Sequence, residues 1–193
     1  MDFYISGVSV HHSPMFFGLF KPASEIVSLA VSVSGQRPEL YSSREFHAGR
    51  LTKKARKNVL ESLREDHCIP DWDLIDFKYH KCMSKEDIKS LLVSFISSRV
   101  EGNDRIFMLF PEKGWYLIKD LYDGDVPFDY IPRYSVNQLL NMAIDKEKLE
   151  NLDKITPSNL RKHKNFPKLE PTSSCLRIQN YTIELHNFLK RYI

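Results

Sequence analysis

The sequence predicts an α/β domain built on a mixed sheet, and three observations predict it. Near the amino terminus Phe3, Ile5 and Gly7 alternate with Tyr4, Ser6 and Val8, and Ile26, Leu29, Val31 and Val33 recur with small residues between them. Both patterns suit strands on a pleated, partly buried surface. Further on, Ile88, Leu91, Leu92, Phe95 and Ile96 fall at i, i+3, i+4, i+7 and i+8, the stripe of an amphipathic helix. The run RIFMLFP, from Arg105 to Pro111, is then short, apolar and continuous, the pattern of a strand covered on both faces.

Taken in order, strands are expected over 3–10 and 25–34. Between them His11, His12, Ser13 and Pro14 open a loop reaching Pro22, with Met15, Phe16, Phe17, Leu19 and Phe20 inside it. So apolar a loop must pack on the core or form a contact surface. Gly35 and Pro38 flank a turn, and 40–47 reads as a third strand, which makes the opening an antiparallel meander. Thr52 is the expected N-cap of a helix through about Glu65, with Ala55, Val59, Leu60 and Leu63 on one face. The stretch 68–81 is aromatic and acidic, is broken by Pro70, and reads as irregular.

Ser84-Lys85-Glu86-Asp87 has the form of a capping box, a carboxylate three residues after a hydroxyl, and Gly102-Asn103 is the expected end of the helix it opens. After the buried strand come a helix over 115–122 stopped near Gly124, an extended stretch over 127–132, and a short helix capped by Ser135 with Leu139, Leu140, Ala143 and Ile144 inward. The segment 145–171 is polar and lysine-rich, with Pro157, Pro167 and Pro171, and reads as a long surface excursion of a kind usually tied to function. From about Ser173 a last helix sets Ile178, Tyr181, Leu185, Phe188 and Tyr192 on one stripe. A meander followed by a buried strand among helices is the order of the RNase H-like fold, here in a single domain of 193 residues.

Composition narrows the function classes. Apolar residues at 42% and charged residues at 27% are ordinary for a globular chain. Cys68, Cys82 and Cys175 are odd in number and lack C-x-x-C spacing, which favours a reduced, intracellular and cytoplasmic setting. Neither a membrane span nor a secretory leader is legible. The net charge of +3 is too small to imply a nucleic-acid partner, but it is unevenly spread. Arg50, Lys53, Lys54, Arg56 and Lys57 form one basic cluster, and Arg161, Lys162, His163, Lys164 and Lys168 form another. Either a phosphate backbone or plain solvent suits such clusters.

Familiar catalytic patterns are missing. The chain has no glycine-rich phosphate cradle and no G-x-S-x-G elbow, and Asp123-Gly124-Asp125 is too short for an EF-hand loop. His67 with Cys68 and His80 with Cys82 match no common zinc spacing. Asp2, Glu25, Asp104, Asp120 and Asp123 read as strand-end, loop and helix-surface residues rather than as a gathered set. Of the aromatic residues that would stack on bases if exposed, Trp72, Trp115 and Tyr116 are expected in the core, whereas Phe16 and Phe17 are expected outside it.

The order of elements, with Phe3-Tyr4 opening the first strand and 26–33 following, resembles that of the small 3′–5′ exonucleases of the DEDD type. Pro132-Arg133-Tyr134-Ser135-Val136-Asn137-Gln138-Leu139 resembles the loop and helix after their third active-site element, and Glu184-Leu185-His186-Asn187-Phe188-Leu189 resembles the end of their final helix. The resemblance implies four carboxylates holding two divalent metals, which clamp the attacking and leaving oxygens at phosphorus. At each corresponding position this chain departs from the pattern. Ile5-Ser6-Gly7 stands where the first strand should carry Asp-x-Glu, 110–115 offers only Glu112 with a lysine beside it, and Ser173 and Ile178 stand where the last helix should show His and Asp. The expectation is therefore a catalytically inactive exonuclease-like scaffold that binds or inhibits a protein partner, through Phe16, Phe17 and Phe20 or through 145–171. Two alternatives accompany it. One is a single-stranded RNA- or DNA-binding protein using Arg50, Lys53, Lys54, Arg56, Lys57, Arg161, Lys162 and Lys164. The other is an active metal-dependent 3′–5′ exonuclease, the one reading that requires magnesium or manganese; the others need no cofactor.

Overall fold

The computed structural model describes residues 1–11, 24–43, 53–67, 82–149, 165–168 and 174–190. Within them β1 (Asp2–His11), β2 (Ser24–Val33) and β3 (Glu39–Ser42) form the meander, followed by α1 (Lys53–His67) and α2 (Lys85–Ser97). Then come β4 (Arg105–Met108), α3 (Pro111–Leu121), β5 (Arg133–Ser135), α4 (Val136–Leu149) and α5 (Cys175–Leu189). The sheet order is β3-β2-β1-β4-β5. β1 pairs antiparallel with β2 and β2 with β3, whereas β4 runs parallel to both β1 and β5. This is the mixed sheet flanked by helices expected from the sequence.

Side chains alternate across a strand, so β1 and β4 each feed two cores. Phe3, Ile5, Ile106 and Met108 join α2 and α3 on one face, with Ile88, Leu92, Phe95 and Ile118 among their partners. Tyr4, Phe107 and Leu109 face the other way onto α4 and α5, where Leu140, Ala143, Leu185 and Leu189 close the layer. That double burial is why Ile106, Phe107 and Met108 read as a continuous apolar run.

The capping box forms as expected: Ser84 Oγ accepts the Asp87 amide at 3.1 Å, and Asp87 accepts the Ser84 amide at 3.3 Å. Ser135 Oγ likewise accepts from the Gln138 amide at 3.2 Å at the start of α4. Several boundaries differ from expectation. The strand after Arg105 stops at Met108 and α3 begins at Pro111, four residues earlier than the expected start at Trp115. Proline is suited to the first helical turn, where its fixed φ helps and its missing N–H is unneeded. α2 ends at Ser97, and Gly102 instead turns the following loop at φ 100°, with Asp104 accepting the amides of Glu101 and Gly102. The stretch 127–132 is folded into turns, with Asp129 N–H to Val126 O and Ile131 N–H to Phe128 O, both at 3.1 Å. α4 runs to Leu149, so the excursion expected from 145 begins as helix. On α2, Leu91 is exposed while the rest of its stripe is buried. Tyr116, expected in the core, is 57% exposed, whereas Trp115 is buried. Among the described residues no helix is long and apolar enough to cross a membrane.

Candidate functional site

β1 outruns β4. Their parallel register covers only Asp2, Phe3 and Tyr4, while β1 continues to His11. From Ile5 onward that edge of β1 has no strand beside it among the described residues, and a cleft of about 690 Å³ opens there. Ile5, Ser6 and Gly7 form one wall, Met108 to Phe110 and the start of α3 form the other, and Ile178 of α5 closes it. The carboxyl ends of parallel strands, where neighbouring connections diverge, are the usual place for a ligand in an open α/β sheet. The volume lies within the range of small-molecule sites.

Two glycines shape the walls. A Cβ on Gly7 would stand 3.4 Å from Leu117 Cδ1 and 3.5 Å from Leu29 Cδ1, so any longer side chain would invade the cleft floor. A Cβ on Gly114 would meet the flexible tip of Met108, with Cε at 2.5 Å, so that side chain would have to shift. The lining is mainly apolar. Its rim carries Phe110, 56% exposed, and Tyr116, together with the exposed Glu112 and Lys113. Inside, Ser6 Oγ is buried without a hydrogen-bond partner among the described residues, a polar atom at a cost of about 1–3 kcal/mol.

α5 is held behind this wall by polar contacts that the apolar pattern does not reveal. Asp66, buried on α1, accepts from Ser174 Oγ at 2.5 Å, from the Cys175 amide at 3.0 Å and from the Leu176 amide at 3.0 Å. Cys175 Sγ–H donates to Ser6 O at 3.1 Å, and burial pushes its thiol well above the ordinary range. Gln179 Nε2 donates to Tyr4 O at 2.7 Å and to Ser32 Oγ at 3.0 Å. The buried side of α5 is thus Cys175, Gln179, Thr182, Leu185, His186, Phe188 and Leu189, while Ile178 and Tyr181, expected inward, are only half-buried. A hydrophobic stripe could not find Gln179 or His186, because their burial depends on partners from β1.

Among the scattered acids, Asp2, Asp104 and Asp123 each have separate partners. Asp2 is bound by Arg105 and Lys190, Asp104 holds its loop amides, and Asp123 lies 3.4 Å from Lys89. Among the described residues no group of three or more His, Cys, Asp or Glu side chains could hold a metal ion. His67 Nε2 hydrogen bonds to Ser42 Oγ at 2.9 Å, and Cys82 is buried. Of the first basic cluster, Lys53, Lys54, Arg56 and Lys57 lie in the opening turns of α1, where Lys57 is exposed and 3.6 Å from Glu61. Arg50, Arg161, Lys162 and Lys164 lie outside the described residues, as do Phe16, Phe17 and Phe20.

No family model matches the chain, and no curated protein matches it.

Proposed function

We propose that this chain is a catalytically inactive, exonuclease-like scaffold that works by binding, with a protein as its partner. One observation carries the reading: several of the positions to which the resemblance assigns acids, at Ile5-Ser6-Gly7, Glu112 and Ile178, line a single cleft. Among the described lining residues Glu112 is the one carboxylate. Hard divalent cations need several oxygen ligands, and an isolated exposed glutamate is a poor substitute for a clustered set. The same cleft is apolar, with Phe110 and Tyr116 exposed at its rim. Exposed aromatic surface around a concavity is what a binding site offers.

The test is incubation of the full chain with end-labelled single-stranded RNA and DNA in manganese, with an EDTA control. Intact oligonucleotide is the expected result. Laddering from the 3′ end that EDTA abolishes would overturn the reading.

A further inference from the structure

A second cavity, of about 490 Å³, lies toward the amino ends of β1 and β4, away from the cleft. Arg105, Phe107, Tyr134, Leu139, His186 and Lys190 line it. Its floor is a stack of rings: Phe107 lies 3.9 Å from His186 at 30° and 5.5 Å from Tyr134 at 26°. Tyr134, 39% exposed, is the outermost ring of the stack.

Positive charge gathers at the same place. Arg105 Nε and Nη2 donate to Asp2 Oδ1 at 3.0 and 2.7 Å, and Lys190 Nζ donates to Asp2 Oδ2 at 3.1 Å. Two cations share one carboxylate, so the trio keeps a positive charge in excess. The Arg105 and Lys190 side chains are 50% and 43% exposed, which leaves their remaining donors accessible. His186 lines the cavity as well, with Tyr4 Oη 2.8 Å from its Nδ1.

We propose that this cavity binds a planar aromatic ring bearing an anionic group, the ring stacked on Tyr134 and the anion held by Arg105 and Lys190. An excess cation beside an outward-facing ring suits that class and suits neither a neutral ring nor a bare anion alone. A phosphate on a nucleoside and a carboxylate on an aromatic acid share this chemistry.

Calorimetric titration of the full chain with AMP and with indole-3-acetate tests the site and separates the two sources. Adenosine and inorganic phosphate serve as half-ligands for AMP, and indole and acetate for indole-3-acetate. At least one whole ligand should bind with Kd below about 1 mM, and its half-ligands at least about tenfold more weakly. Tyr134→Ala and Lys190→Gln should each weaken binding about fivefold or more, and Tyr134→Phe should restore it. The tighter of the two whole ligands identifies the anion. Tyr134 is exposed, so its variants carry the test even where Lys190→Gln disturbs folding. No binding of either ligand at about 1 mM, or equal binding by Tyr134→Ala and the wild type, would overturn the proposal.

Discussion

Acidification should weaken this fold through a single histidine. His186 is buried, and its pKa is lowered from 6.5 to about 4. Burial disfavours the imidazolium most, Lys190 and Arg105 add repulsion, and Asp2 only partly offsets them. The folded state therefore takes up this proton near pH 4, whereas the unfolded chain takes it up near 6.5. The stability is fully present above the unfolded value and is lost as pH falls through the window between the two. Integrating across that window gives a loss of about 2 kcal/mol between about pH 7 and pH 5. Burial also pushes Asp2 and Asp104 up, but the hydrogen bonds each accepts pull them below the ordinary carboxylate value, so both titrate beneath this range. Urea unfolding at stepped pH, on the wild type and on His186→Gln, isolates the effect because every other titrating group is common to both. The wild type should lose about 2 kcal/mol more than the variant over this range. Parallel pH dependences would refute the reasoning.

Asp66→Ala should be among the costlier substitutions, since it strands the Cys175 and Leu176 amides at the buried start of α5. A loss of about 3 kcal/mol in urea unfolding is expected, and a loss below about 1 kcal/mol would mean that the helix finds another cap. Ser84→Ala should remove the capping box of α2 for about 1 kcal/mol, read as a lowered thermal midpoint. An unchanged midpoint would count against that cap.

The sheet was legible in the sequence because its strands are patterned by burial. β1 and β2 alternate or carry small residues between apolar ones, and β4 is apolar after Arg105 because Ile106, Phe107 and Met108 are covered on both faces. Boundaries failed where backbone chemistry outweighed hydropathy, as at Pro111, which begins a helix after an apolar run, and at 127–132, where local hydrogen bonds fold the chain into turns. The cleft was legible only as three separate gaps in an expected acid pattern. Nothing in the linear sequence says that Ile5, Glu112 and Ile178 meet, because parallel pairing of β1 with β4 and the crossing of α5 bring them together. Asp66, Gln179 and His186 were hidden for a different reason. A polar residue on an amphipathic helix reads as solvated until its partner, more than a hundred residues away, is known.

The most direct measurement is manganese binding followed by electron paramagnetic resonance, because it asks whether the cleft holds the cations that catalysis would need. The account predicts that the signal of free hydrated manganese persists undiminished when equimolar protein is added. Quenching that titrates to two ions per chain, and is reversed by substituting Glu112→Gln, would contradict it.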